Sequence, residues 1–209
     1  MSGAIKIAVH CLLLASLSLA GCGGGYGQQD EPYRAERAGF AYVTNTSSGA
    51  VSVHDLDRET GSLGRAKATA ATGSSPLSAA AHPGGKFLYV ANFNSSDISE
   101  FRIDSVGGTL TPIRAPFSTG AGRNPLFIAV HPSGRFAFVG TTFAGSVTGQ
   151  VTAYAVDAQR GALTQVGDGV FAGLAPGSLA IAPSGRFAYV ADSQLDVVWT
   201  LSVDADTGA

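Results

Sequence analysis

The sequence predicts an all-β protein built as a β-propeller of four-stranded blades, and three observations predict it. First, the pattern G-x-x-P, six residues, P-x-G-[KR]-F-x-[FY]-V begins at Gly73, Gly122 and Gly173. Second, a half-copy, Phe40-Ala-Tyr42-Val43, precedes these, so that Phe40, Phe87, Phe136 and Phe187 are separated by 47, 49 and 51 residues. A period near fifty marks one supersecondary unit used repeatedly. Third, each unit reads as short strands joined by Gly-rich turns, with no helical periodicity.

Within a unit the strands follow in a fixed order. The run at Phe40, Phe87, Phe136 and Phe187 is apolar on both alternating faces, which predicts a strand in a sheet covered on both sides. The next run alternates: Val51–Leu56, Ile98–Ile103, Val151–Val156 and Val198–Val203. Each is followed by Asp and, four residues on, Gly: Asp57/Gly61, Asp104/Gly108, Asp157/Gly161 and Asp204/Gly208. Asp bonds the backbone ahead of it and Gly takes the left-handed position, so the pair predicts a hairpin turn. A leucine two residues beyond the Gly (Leu63, Leu110, Leu163) opens an outer strand. After a loop, the G-x-x-P segment leads into an inner strand at Leu77–Ala81, Leu126–Val130 or Ser178–Ala182. The expected strand sets are therefore three, four, four and three, which reads as part of a larger propeller. The runner-up arrangement is a four-bladed ring closed with help from residues 23–39 or from another subunit.

The N-terminal segment reads differently. Lys6 followed by an apolar run from Ile7 to Ala20 is a signal sequence, too short for a comfortable transmembrane helix. It ends in Leu19-Ala20-Gly21-Cys22, which resembles the bacterial lipoprotein box. That resemblance implies that residues 1–22 are a lipoprotein signal peptide cut just before its cysteine, with Cys22 becoming the lipidated first residue. The partner it implies is the membrane, reached through acyl chains that contribute roughly 0.8 kcal/mol per buried CH₂. The chain is then exported and held at the cell envelope, on its periplasmic or surface side. Residues 23–39, beginning Gly-Gly-Gly-Tyr-Gly-Gln-Gln, form a flexible tether. The repeats occupy residues 40–209.

Composition narrows the function. Only 13% of the 209 residues are charged and the net charge is -2, so no basic stripe points to nucleic acid. Two cysteines, Cys11 and Cys22, both lie in the signal region and cannot staple the domain. Four histidines without paired spacing give no metal site, and no strand–glycine loop–helix or G-x-S-x-G element gives a cofactor or a serine nucleophile.

The stretches His82-Pro-Gly-Gly-Lys-Phe-Leu-Tyr-Val-Ala-Asn92, His131-Pro-Ser-Gly-Arg-Phe-Ala-Phe-Val139 and Ala182-Pro-Ser-Gly-Arg-Phe-Ala-Tyr-Val-Ala-Asp192, with the Asp-x-x-x-Gly-x-Leu turns, resemble the 6-phosphogluconolactonase-like lactonase family. The resemblance runs from Phe40 to Ala209. It implies a seven-bladed parent ring, about half of it present here, and hydrolysis of a sugar lactone without a metal or other cofactor. The alternative is a non-catalytic envelope propeller that binds a protein or small ligand through its loops, or a fragment without independent function.

Opening a lactone needs a base or water-positioning group and a donor site for the oxyanion. His131 is a candidate base, yet it repeats at His82 and is replaced by Ala182, which fits a turn former better. Scaffold residues repeat; chemistry should break the repeat. By that rule Arg123 and Asn124 stand out, because the other copies have Ser74-Ser75 and Leu174-Ala175. Arg123 is therefore the candidate for binding a carboxylate or phosphate. His54 stands where the other copies carry Phe101, Tyr154 and Leu201, so packing explains it more simply. Asn45, Asn92, Thr141 and Asp192 follow the central strands as turn formers.

Overall fold

The computed structural model describes residues 39–208, apart from 58, 147 and 205. The signal segment with Cys22, and the tether up to residue 38, lie outside the described residues.

Four antiparallel meanders make up the described chain. The first sheet joins β1 (Gly39–Asn45), β2 (Ala50–Leu56) and β3 (Leu63–Ala71). The second joins β4 (Pro76–Ala81), β5 (Phe87–Asn92), β6 (Asp97–Ile103) and β7 (Leu110–Pro112), with the short β8 (Phe117–Ser118) also paired to β6. The third joins β9 (Arg123–Val130), β10 (Phe136–Phe143), β11 (Gly149–Val156) and β12 (Leu163–Phe171). The fourth joins β13 (Pro176–Ile181), β14 (Phe187–Asp192) and β15 (Val197–Ser202). The outer strands start at Leu63, Leu110 and Leu163, as the repeat predicts. The inner strand β9 starts earlier than expected, at Arg123, because Arg123 and Asn124 pair with Phe143 and Thr142 of β10.

The turns form by the chemistry their sequence encodes. Asp57 Oδ1 accepts from the backbone N–H groups of Glu59 and Thr60, both at 2.9 Å, while Gly61 sits at φ 70° and donates to Asp57 O. Asp157 and Asp204 repeat the arrangement. These N–H donors hold all three carboxyls below the ordinary carboxylate range.

Hydrophobic cores fill the seams between successive sheets. Tyr42 and Val51 of the first sheet meet Leu88, Val90 and Phe101 of the second. Phe87, Tyr89 and Ile98 of the second meet Ala137, Val139 and Leu163 of the third. Phe136 and Phe138 of the third meet Ala188, Val190 and Val203 of the fourth. Each large apolar side chain sealed this way contributes about 1.5–3 kcal/mol. Polar groups fix the register of the seams: Tyr42 and Tyr89 donate their hydroxyls to Gly108 O and Gly161 O of the next sheet, each at 2.9 Å. The Tyr89 hydroxyl is pushed up, first by burial and then by the negative charge of Glu100.

Two places depart from the repeat. The central strands β5 and β10 are buried on both faces, as predicted, but β14 alternates: Phe187, Tyr189 and Ala191 are exposed while Ala188, Val190 and Asp192 are buried. Among the described residues no sheet packs on that side. The outer strand of the second sheet is also broken between β7 and β8. There Arg114 turns inward and binds Glu100 through two hydrogen bonds of 2.7 Å, Nε to Oε2 and Nη2 to Oε1.

Candidate functional site

The inner strands β4, β9 and β13 lie side by side, so the loops that lead into them gather at one end of the sheets. Those loops are the G-x-x-P segments, in which Pro fixes the backbone for the strand that follows. The strand-connecting hairpins after β1, β5, β10 and β14 reach the same end. Thr46 donates its hydroxyl to Pro76 O at 3.0 Å, and Asn124 Nδ2 donates to Phe93 O at 2.9 Å, tying hairpin to inner strand across two seams.

Arg123 and Asn124 are the residues of this end that break the repeat. Arg123 is half-buried, its guanidinium 5.4 Å from the centroid of Phe143 on the paired strand. An aromatic face beneath a guanidinium holds its plane while leaving N–H groups for an anion. Asn124 is held by its amide donor, but its Oδ1 is buried and accepts no hydrogen bond among the described residues. A buried acceptor without a donor costs roughly 1–3 kcal/mol. Of the two, Arg123 keeps donors for a ligand, while the Asn124 amide is enclosed and ties β9 to the second sheet.

Asp192 serves the equivalent end of the fourth sheet. Burial opposes its ionisation, but backbone N–H groups of Leu174, Gln194, Leu195 and Ala175 outweigh that and hold its carboxyl at about 2. With its oxygens occupied in this way, Asp192 organises two loops.

His131 lies beyond the far end of β9. Arg123 and His131 are eight residues apart along an extended strand, roughly 25 Å, so they do not meet around one small substrate. His131 Nδ1 accepts from Ser133 N at 3.1 Å, which places the ring proton on Nε2, and Nε2 donates to Gly185 O at 2.9 Å in the next sheet. His82 does the same with Gly84 N and Gly134 O. Both rings therefore clip the P-x-G turn of one sheet to that of the next. His54 is likewise engaged, by Gly64 O at 2.9 Å and the Ser52 hydroxyl at 3.0 Å.

Further along the inner strands lies a concavity of about 740 Å³. Leu77, Leu126, Val130 and Ile181 set its apolar character, and its polar side chains are those of Ser78 and Ser178. Ser78 Oγ already accepts from Ile128 N at 3.3 Å. Among the described residues no cluster of His, Cys, Asp or Glu comes together as a metal site.

Glu100 and Arg114 were not singled out from the sequence, although a signal was there. Glu100 stands where the other sheets carry Val53, Ala153 and Thr200. It is fully buried, and its Oε1 also accepts from Leu163 N at 3.0 Å, while Arg114 Nη2 donates to Leu163 O at 2.8 Å. The two charges are spent on each other and on the start of β12. They lock the second sheet to the third.

Four-stranded antiparallel meanders on a fifty-residue repeat, packed face to face with inner strands side by side, define a β-propeller. The sequence matches the family described as "Lactonase, 7-bladed beta-propeller" over residues 34–127 and 127–209, and the chain belongs to that family. Among solved structures it is similar to a candidate 6-phosphogluconolactonase of Bacteroides fragilis, at 19% identity and a TM-score of 0.70 over 88% of this chain and 56% of that one. It is also similar to the periplasmic gluconolactonase PpgL of Pseudomonas aeruginosa, at 23% identity and a TM-score of 0.68 over 81% of this chain and 48% of that one. A Lactobacillus plantarum protein aligns at 20% identity and a TM-score of 0.70, over 81% and 50% of the two chains. At these identities the likeness speaks for the fold, and the chain spans about half the length of these relatives. Among curated proteins none matches the sequence.

Proposed function

We propose that this chain belongs to an exported, lipid-anchored propeller that binds a hydroxylated lactone at the N-terminal end of β9 and promotes its hydrolysis. The observation that carries the reading is Arg123, a half-buried guanidinium stacked on Phe143 where β9 breaks the repeat. A sugar lactone presents the complement of that cation: an ester carbonyl whose oxygen becomes negative when water attacks. In that step water adds to the carbonyl carbon, the ring C–O bond breaks, and a hydroxycarboxylate and a proton leave. Arg123 stabilises the oxyanion and then the carboxylate. Family membership supports the chemistry. His131 serves the seam, and the base that activates water is not assigned.

The test is proton release from glucono-δ-lactone by the full chain, measured above the uncatalysed rate. Arg123→Ala is expected to lower turnover about 100-fold, the scale of losing one oxyanion donor. Unchanged turnover in that variant removes Arg123 from the reaction. No turnover in the parent chain favours the second reading, a binding propeller, which draws on the apolar lining of the concavity. Lactone or protein ligand would then raise the melting temperature without product. Anchoring through Cys22 is tested separately: incorporation of labelled palmitate is expected in the parent and lost in Cys22→Ser.

A further inference from the structure

The inner strands carry a wall whose chemistry differs from that of the Arg123 end. In β4, β9 and β13 the register slips by one residue at the same place. Pro76 pairs with Asn92 and Ser78 with Ala91, Pro125 with Thr141 and Phe127 with Gly140, Pro176 with Asp192 and Ser178 with Ala191. The residue left over is Leu77, Leu126 or Gly177, and all three line the concavity of about 740 Å³. A bulge of this kind re-aims the side chain that it frees. Inner strands face the axis of a propeller, so this wall borders the central channel whatever the number of sheets around it.

The next residue breaks the repeat. The second and fourth sheets have Ser78 and Ser178 opposite Ala91 and Ala191, whereas the third has Phe127 opposite Gly140. The Phe127 ring lies where a Cβ would stand on Gly140, so the two departures are one fitted pair. The strand that bears Arg123 therefore puts no hydroxyl on this wall. Ser78 Oγ is engaged by Ile128 N, and Leu126, Val130 and Ile181 supply hydrocarbon. Leu126 follows Arg123 by three residues, roughly 10 Å along an extended strand. A ligand whose carbonyl lies at Arg123 thus meets hydrocarbon next. The hydroxyls of a polyol chain lose water there to apolar side chains, which is unfavourable, while methylenes gain by leaving water.

We propose that the lactone bound at Arg123 carries a hydrocarbon chain, and that Leu126, Phe127 and Leu77 form the subsite for that chain. This rests on the lactone reading above and deepens it to a substrate class, an alkyl-substituted lactone. Chain length is then what the protein selects.

The test is hydrolysis of γ-butyrolactone, γ-hexalactone and γ-octalactone by the full chain. kcat/KM is expected to rise about threefold for each methylene added. Leu126→Gly copies the residue that the fourth sheet has at this place, and Phe127→Ser/Gly140→Ala copies the pair of the second and fourth, so the repeat already folds with each. Both are expected to lower the ratio of kcat/KM for γ-octalactone to that for γ-butyrolactone about tenfold. Loss of folded protein does not move that ratio. Turnover that is flat in chain length, or a ratio that both variants leave alone, overturns the proposal and leaves the lactone reading standing. Absence of turnover for every lactone overturns that reading instead, and calorimetric binding of γ-octalactone then decides the subsite. A Kd weakened about tenfold in Leu126→Gly supports it; no binding, or binding that the variant leaves unchanged, overturns it.

Discussion

Phe87 and Phe187 occupy the same place in the repeat, yet Phe87 is sealed and Phe187 is 39% exposed. Tyr89 and Ile98 of the second sheet are likewise buried while Tyr189 and Val198 of the fourth face solvent. The residue types are the same or nearly so. What differs is the neighbour: the second sheet has the third packed on its Phe/Tyr face, whereas the fourth has no described sheet there. A propeller blade is thus half a core. Its apolar faces mean stability only where another blade completes them.

Truncation should expose this contrast most strongly. Phe87→Ala is expected to cost about 3–5 kcal/mol, as for any large core aromatic. Phe187→Ala, at concentrations where the chain is a monomer, should cost about 1 kcal/mol or less. Denaturant midpoints at constant slope read the difference. Equal losses at the two positions would mean that the fourth sheet's face is covered in solution.

The polar lock of the second sheet comes next. Arg114→Met leaves the Glu100 carboxylate buried without its cation and is expected to cost roughly 3 kcal/mol, the lower end for breaking a buried pair because Arg114 is partly exposed. Among the described residues no buried pair joins the third sheet to the fourth, where Ala153 stands in place of Glu100 and the ion pair present, Arg135 with Asp206 at 3.6 Å, is exposed. A loss under about 0.5 kcal/mol would show that water replaces the guanidinium at little cost.

A smaller effect tests the tyrosine hydrogen bond. Tyr89→Phe leaves Gly161 O without its donor and should cost about 1 kcal/mol, whereas Tyr189→Phe should be silent in the monomer. Phe138 holds the equivalent position in the third sheet, so the hydroxyl adds register and is not needed for packing. Thermal melts of the two variants suffice; a silent Tyr89→Phe would assign the seam to the phenylalanine ring alone.

Much of this was legible because the repeat makes local chemistry visible four times over. The strand sets of three, four, four and three follow from the recurring Phe run, the Asp-x-x-x-Gly turn and the leucine after it. Arg123 and Asn124 were legible as departures from Ser74-Ser75 and Leu174-Ala175. Partners far along the chain were not. Gly185, whose carbonyl accepts the His131 hydrogen bond, lies 54 residues away, and Leu163, which closes the Glu100 lock, lies 63 residues away. The break between β7 and β8 follows from that lock: Arg114 is drawn inward by a carboxylate on another strand, and local propensity carries no trace of it. The exposure of β14 was illegible for a different reason. Its sequence is that of a covered strand, and only the absence of a described neighbour separates it from β5.

The smallest effect concerns the turn formers that end these two strands, Asn92 and Asp192. Asn92 is neutral and donates to Asp97 Oδ1 at 2.7 Å and Ser99 Oγ at 2.9 Å. Asp192 instead gathers backbone donors from two loops, and its carboxyl is lowered from 3.8 to about 2. A group whose folded value lies below its unfolded one stabilises fully above the unfolded value and loses that contribution as pH falls through the folded one. The loops at Leu174–Ala175 and Gln194–Leu195 should therefore hold their amide protection at pH 5 and lose it between about pH 4 and pH 2, once intrinsic exchange rates are divided out. The G-x-x-P loop of the second sheet, at Ser74–Ser75, has no such charge at Asn92 and should change less over the same range. Asp192→Asn should open the fourth sheet's loops at both pH values. Protection that is equal at pH 5 and pH 2.5 in the parent would show that turn geometry, not the carboxylate's charge, holds that end of the sheet.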